Sequence, residues 1–338
     1  MKLSTLWKMM GGWRFPTTVR MAKMLGETQR ASWLAAASKF GVIRALAKGA
    51  LSLDTLAQQF APAPEHRAGF AAWLRHGVLL KQLRQHEQTY ALRGSMTRRM
   101  ATDDAYAALV EGMISVQSNG LYKSLERWSA GESLTLADVD AGTVARISNM
   151  LTPLVEEVLE ANVPADGAHT LLEIGCGNAH YLRHACGAND RLQGHGLELD
   201  AAVAETARRQ IDAAGLGARI DVTTGDVCDA PLPTDVDTVL LINLLYYLPM
   251  TQRAGVLGRL AESLAPGGRV LVAGYCAGGG LGSNILDLWF SAMPETGPLP
   301  TTEAITEDLE AAGLSVAPPR QLMPGDPYML VVGTRSGS

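Results

Sequence analysis

The pattern of apolar and polar positions changes character once along this chain. From Glu27 to Phe60 apolar residues recur at helical spacing, Trp33, Leu34, Ala37 and Phe40 in one run and Val42, Ile43 and Leu46 in the next, with Gly41 and Gly49 as punctuation. Ser52 stands as an N-cap ahead of Leu53, Leu56, Ala57 and Phe60, predicting a short helix that Pro62 and Pro64 end. A further helix is predicted over Arg67–Leu80, then two short strands within Leu79–Leu92 around the polar turn Arg84–Gln88. Three helices and a two-stranded wing are the order of a winged helix, so residues 1–100 are expected to form a mainly helical, winged-helix-like domain. Asp103–Ala161 reads as helical again, broken at Gly131 and Gly142, and residues 101–160 are expected to link and cap the next domain.

From Leu171 strands and helices alternate, the signature of a doubly wound α/β sheet, in a domain expected over residues 161–338. Strands are predicted at His169–Ile174, Leu192–Leu199, Ile220–Thr224, Val236–Leu241, Arg269–Ala273, Leu314–Pro318 and Tyr328–Gly333. Helices are predicted from His180 to Cys186, over Ala201–Ala214 and over Thr302–Ala312.

Composition narrows the class without choosing a function. With 47% hydrophobic and 19% charged residues the chain of 338 is that of a folded protein large enough for two cores. No run reaches the roughly 18 apolar residues of a membrane span, since Val236–Leu248 contains Asn243 and stops at Pro249. Cys176, Cys186, Cys228 and Cys276 form no C-x-x-C pair and are expected to be free thiols in the reducing cytoplasm. The net charge of −5 hides an asymmetry: 16 Lys+Arg against 4 Asp+Glu in the first hundred residues, 13 against 30 afterwards, or +12 and −17. Such a split suits two domains that attract one another, or a basic domain with an anionic partner.

The chemistry gathers at strand ends. Glu173-Ile-Gly175-Cys-Gly177-Asn-Ala179 lies between an apolar strand and a helix, where glycines let a ligand approach the backbone. Alone, a G-x-G loop equally suits a dinucleotide or an ordinary turn. Glu198, 23 residues after Gly175, ends the second strand, where a carboxylate can accept both ribose hydroxyls, with Asp200 its rival. Gly225-Asp226 ends the third strand within reach of an adenine amine, and Asn243 closes the fourth and could hold an amino acid end.

With these segments, LLEIGCGNA, GLELD, TGDV and LAPGGRVLVAG at Leu264–Gly274, the chain resembles class I S-adenosylmethionine-dependent methyltransferases, in the small-molecule branch with a winged-helix-like N-terminal domain. The resemblance covers Leu171–Thr334 well and Trp33–Met100 loosely. It implies a Rossmann-like, seven-stranded sheet with an antiparallel last strand, and S-adenosyl-L-methionine as cofactor. Glu173, Gly175 and Gly177 would meet the cofactor's amino acid part, Glu198 the ribose, Asp226 and Val227 the adenine, while Asn243 would begin the methyl-donor pocket. It further implies a homodimer built by the N-terminal domain, acting on a small molecule of specialised metabolism.

One departure bears on mechanism. O-methylating members of this branch carry a histidine base just after strand four, where this chain reads Asn243-Leu-Leu-Tyr246-Tyr247, and no histidine follows His195. The candidates left near the transfer are Tyr246, Tyr247 and His180, the last directly after the glycine loop. A tyrosine with pKa near 10 is a poor base at neutral pH, whereas an aromatic face stabilises a sulfonium by about 0.5–2 kcal/mol. Alignment can then carry the reaction for a good N, O or C nucleophile. His180 and His184 lie i, i+4 and could share a metal, but nothing completes a set and no metal is expected.

For the substrate, Ser118, Asn119 and Tyr122 are the polar choices from the cap. Asp287, Trp289, Phe290 and Met293 come from a segment whose Gly278, Gly279, Gly280 and Gly282 suit a mobile lid. For Trp289 and Phe290, plain helix packing on the sheet is an equal reading. The alternative function is a winged-helix DNA-binding regulator that senses a metabolite, motivated by the basic front domain, although nucleic acid is not the expected partner. The basic stretch Met1–Arg30 could also lie on an anionic membrane, a contact not expected here.

Overall fold

The computed structural model describes residues 15–138 and 140–337; Lys2, Lys8 and Arg14 of the basic stretch fall outside them. Backbone contacts divide the chain into two units, one reaching Asn119 and taking in Val139–Met150, the other formed by Gly120–Asp138 and Leu151–Ser338. Residues 101–160 are thus shared between the units.

In the first unit α1 (Phe15–Lys39) and α2 (Val42–Ala47) are followed by β1 (Leu51–Ser52), α3 (Leu53–Phe60), α4 (Arg67–Leu79), β2 (Leu83–His86) and β3 (Thr89–Leu92). The three strands form an antiparallel sheet in the order β1-β3-β2. Ser52 caps α3, its hydroxyl accepting from the Thr55 amide at 3.1 Å. Trp33, Leu34, Val42, Ile43, Leu46, Leu56, Leu74 and Leu83 fill the core, so the helical spacing is that of the buried face, except that Phe40, read as part of it, lies past the end of α1 and is exposed. Gly77 lets α4 approach this core, since a Cβ there would come within 2.4 Å of the Trp33 ring. Next come α5 (Ser95–Thr102), α6 (Asp104–Gly112) and a π-type turn, Met113–Ser118, leading into α7 (Asn119–Ser129). Gly142, read as a break, lies inside α8 (Ala141–Ser148), because Asp140 caps that helix on the Thr143 amide at 3.1 Å and the first turn accepts a glycine. Gly131 does end α7, at φ +76°.

The second unit carries α9 (Thr152–Asn162), β4 (His169–Ile174), α10 (His180–Ala188), β5 (Leu192–Glu198), α11 (Ala201–Ala213), β6 (Ile220–Thr224) and β7 (Val236–Ile242). These are followed by α12 (Arg253–Ser263), β8 (Leu264–Tyr275), α13 (Leu281–Ser291), α14 (Thr302–Ala311), β9 (Leu314–Val316), β10 (Arg320–Gln321) and β11 (Tyr328–Arg335). The sheet runs β10-β11-β8-β7-β4-β5-β6, with β9 also on β11. β4 to β8 are parallel and β11 is antiparallel to β8, so the fold is Rossmann-like with the expected reversed final strand. Apolar layers cover both faces: Leu172, Val239, Leu241 and Val270 on one, Leu171, Leu240, Leu271 and Leu330 on the other.

Among the described residues this sheet has eight strands where seven were expected. β9 and β10 pair with the same edge of β11, Val316 opposite Gly333 and Arg320 opposite Leu330, with one residue's slip between them. Pro318 and Pro319 lie in the gap, and proline has no amide hydrogen for the ladder, so one edge strand becomes two. No described helix is long and apolar enough to cross a membrane, and the four cysteines are free.

Candidate functional site

Because β4, β5, β6 and β7 are parallel, their carboxyl ends share one edge, and the strand order reverses between β4 and β7, where ligands of such sheets bind. The loop after β4 has left-handed backbone at Gly175 (φ +66°), Gly177 (φ +55°) and Ala179 (φ +57°). It is tied to β5 by Gly175 N and Cys176 N, which donate to the Leu197 carbonyl at 2.7 and 3.1 Å. The space where a Cβ of Gly177 would stand is open.

The two acids at the end of β5 separate cleanly. Asp200 is consumed as the cap of α11, accepting from Ala202 N at 2.8 Å and Val203 N at 3.0 Å. Glu198 instead faces the loop: its Oε2 accepts from Gly177 N at 2.9 Å and its Oε1 from Asp200 N at 3.1 Å. Gly225 N donates to the Glu198 carbonyl at 3.0 Å, which brings the end of β6 alongside. Asp226 is exposed, with Oδ1 accepting from Cys228 N at 2.9 Å, and Val227 is buried. Asn243 closes β7 at φ +53°, its amide donating to the Ala273 carbonyl at 2.8 Å.

Glu173, at the root of the loop, is the electrostatic centre. The side chain is buried and its Oε2 has no hydrogen-bond partner. Burial pushes its pKa up to about 8, a backbone hydrogen bond from Leu182 opposes this, and the charge of Glu198 adds to it. The carboxyl is therefore largely neutral at pH 7, and a cation arriving beside it would favour loss of its proton.

Tyr246 and Tyr247 form a triangle of rings with Phe290, centroids 5.0–5.1 Å apart. The Tyr246 hydroxyl reaches Asn243 Oδ1 at 3.3 Å. Burial raises the pKa of both tyrosines, for Tyr246 well above the usual range with Tyr247, Tyr328 and Tyr275 adding to it. Both hydroxyls keep their protons at neutral pH. His180, at the start of α10, has Nε2 3.0 Å from Glu156 Oε1, and His184 approaches the same oxygen at 3.4 Å and Glu160 at 3.6 Å. Among the described residues no group of three or more His, Cys, Asp or Glu could hold a metal.

The candidate substrate residues scatter. Tyr122 is exposed, and Ser118 and Asn119, also exposed, belong to the first unit; the Ser118 hydroxyl donates to the Met113 carbonyl at 2.7 Å. Asp287 accepts from Leu299 N at 2.8 Å, while Trp289 and Met293 are buried. Trp289 packs on Gly120, where a Cβ would fall 2.4 Å from the indole nitrogen. The glycine-rich segment read as a lid is pinned, with Asp326 accepting from Gly282 N at 3.2 Å and Ser283 N at 3.1 Å. Sequence reasoning missed Tyr181, Tyr328 and Glu156, which no motif marks.

Residues 172–270 match a family model described as a methyltransferase domain. The chain is 29% identical over 182 residues to demethylspheroidene O-methyltransferase of Cereibacter sphaeroides, covering 52% of this chain and 48% of that one. It is 31% identical over 177 residues to an aclacinomycin 10-hydroxylase of Streptomyces purpurascens, covering 49% and 46%. The match thus spans about half the length of these curated relatives. Among solved structures, mitomycin 7-O-methyltransferase superposes with a TM-score of 0.76 at 19% identity, over 96% of this chain and 99% of that one.

Proposed function

We infer that the chain is a class I S-adenosylmethionine-dependent methyltransferase acting on a small molecule of specialised metabolism. The observation that carries this reading is the unpartnered, buried Glu173 oxygen beside an open glycine loop at the switch point of the sheet. These residues fit the cofactor, whose sulfonium supplies an activated methyl group when bound. Glu173, Gly175 and Gly177 would hold its amino acid arm, Glu198 the ribose, Asp226 and Val227 the adenine, and Asn243 the start of the donor pocket. Glu198 exchanges its bond from Gly177 N for ribose hydroxyls at little cost, because the loop amide then faces the ligand.

Tyr246, Tyr247 and Phe290 form a largely buried aromatic cluster after β7, whose rings would stabilise a sulfonium set against them. Neither tyrosine abstracts a proton, since both hydroxyls stay protonated. The chain's contribution is alignment and desolvation of an acceptor that is already a good nucleophile. Tyr122, Asp287, Trp289 and Met293, all of the second unit, are the proposed substrate residues, Trp289 and Met293 as buried ones.

Mutations separate alignment from general-base catalysis, which contributes about 10²- to 10⁴-fold. With an accepted substrate, His180→Ala and Tyr247→Phe each lower turnover less than tenfold, and Tyr247→Ala, which removes the ring, lowers it more than Tyr247→Phe. A thousandfold drop in His180→Ala with cofactor affinity intact makes His180 the base and refutes the alignment reading. Mass analysis of the product checks the reaction directly, since transfer of a methyl group in place of a hydrogen adds one CH2 unit to the acceptor.

The protein works in the cytoplasm as a homodimer. Support for the dimer comes from α1, where Val19, Met21, Met24 and Leu25 are each more than half exposed. Light scattering of the full chain at micromolar concentration gives the dimer mass, and deletion of Met1–Arg30 gives the monomer; a monomeric full chain removes the proposal. A DNA-binding regulator is not favoured, since the relatives are enzymes.

A further inference from the structure

The buried, unpartnered oxygen of Glu173 has a counterpart across the same site. Tyr328, the first residue of β11, is fully buried, and its hydroxyl completes no hydrogen bond. A tyrosine hydroxyl left without a partner in a protein interior forfeits the bonds it made with water, so a native chain keeps one only where something else satisfies it. Three observations place this group beside the cofactor site. Tyr328 pairs in register with Tyr275, the last residue of β8, at the carboxyl edge of the parallel strands, and the two rings meet edge to face at 5.1 Å. The Asn243 side chain approaches the Tyr328 hydroxyl closely enough to hold its pKa down against burial, without the geometry of a full hydrogen bond, and the Tyr246 hydroxyl donates to that same side chain. Tyr181, on the helix after the glycine loop, lies within electrostatic reach of Glu173 and of Tyr328.

The two groups have complementary chemistry. Glu173 offers a carboxylate oxygen, an acceptor suited to an ammonium; Tyr328 offers a neutral hydroxyl that stays protonated, a donor suited to a carboxylate. A free α-amino acid carries both partners on one carbon. We propose that Tyr328 is a further cofactor-binding residue, donating its hydroxyl hydrogen to the α-carboxylate of the cofactor's amino acid arm while Glu173 takes the ammonium. This rests on the cofactor reading above and extends it to a strand that carries no recognised motif. With Asn243 beside the hydroxyl, the last strand of the sheet would help to select a ligand with an intact amino acid end.

The test compares two thioethers that differ by that arm alone, S-adenosylhomocysteine and 5′-methylthioadenosine, titrated calorimetrically into the full-length protein and into Tyr328→Phe, which keeps the ring and its packing on Tyr275. A charge-assisted hydrogen bond lost from the site weakens S-adenosylhomocysteine tenfold or more, while 5′-methylthioadenosine binds both proteins alike within twofold. An equal loss for the two ligands makes Tyr328 a structural residue and overturns the proposal. So does an unchanged affinity for S-adenosylhomocysteine. Failure of the wild-type protein to bind either thioether is a different result: it removes the cofactor reading itself, and this assignment with it.

Discussion

Glu173→Gln yields a protein that is more stable than the wild type at pH 8 and yet binds its cofactor poorly. In the ligand-free fold the Glu173 carboxyl is held from the ordinary 4.5 up to about 8 by burial. Between those values the unfolded chain has released the proton and the folded chain has kept it, so the folded state binds more protons and stability falls as pH rises. The slope is about 1.4 kcal/mol per pH unit, which amounts to several kcal/mol by pH 8 and nothing below pH 4.5. Glutamine has the same shape and no proton to lose, so its advantage is absent at pH 4.5 and grows toward pH 8. Binding moves the other way. An ammonium pairs with the ionised carboxylate, so wild-type affinity for S-adenosylhomocysteine rises with pH up to about 8, with net proton release below it, and Glu173→Gln loses about ten- to a hundredfold. Thermal unfolding at pH 5 and pH 8, with titrations in buffers of different ionisation enthalpy, reads both effects. A variant less stable than wild type at pH 8 contradicts the assignment of Glu173 as an unsatisfied buried acid.

The second large effect belongs to the loop itself: Gly175→Val abolishes cofactor binding. Gly175 sits at φ +66°, a region costly for a β-branched residue, and a Cβ there would lie 3.0 Å from the Leu244 side chain. The strain relaxes only if the loop leaves the bonds that Gly175 N and Cys176 N make to Leu197. That movement also displaces Gly177 N from Glu198. Affinity is expected to fall at least a hundredfold while the fold survives, since one strained residue costs about 1–3 kcal/mol against a sheet buried on both faces. Calorimetry beside a melting curve checks this; full affinity in a folded Gly175→Val rules out the loop as the binding element.

Which of these features were legible beforehand follows from how local their causes are. The strand at His169–Ile174 was readable to the residue because an apolar run there ends in a glycine loop, and Ser52 was readable as a cap because capping is decided within three residues. Gly142 reads as a break because a glycine in a first turn looks like one in the sequence, whereas in the fold Asp140 caps the helix around it. Pro318-Pro319 contained the reason for an eighth strand, yet the pairing partner in β11 lies too far along the chain for periodicity to reveal.

Long-range causes hid more of the site. Glu198 and Asp200 look alike in the chain, and only the geometry of α11 assigns one to the helix and leaves the other to the loop. The stretch Gly278–Gly282 reads as mobile until Asp326, more than forty residues later, is found pinning it. Tyr181 and Tyr328 stand 147 positions apart in the numbering and carry no motif, so the approach of one to the other exists only in the folded chain.

The central claim, that the carboxyl edge of this sheet binds S-adenosylmethionine through the glycine loop and Glu198, is tested most directly by one calorimetric titration of S-adenosylhomocysteine into wild-type protein and Glu198→Ala. Glu198→Ala removes the ribose acceptor and frees the Gly177 amide, while the Gly175 and Cys176 amides that anchor the loop remain tied to Leu197. The account predicts saturable binding to the wild type and a loss of tenfold or more in the variant, because two ribose hydroxyls lose a charged acceptor. No binding heat with wild type, or equal affinity in the two proteins, contradicts it.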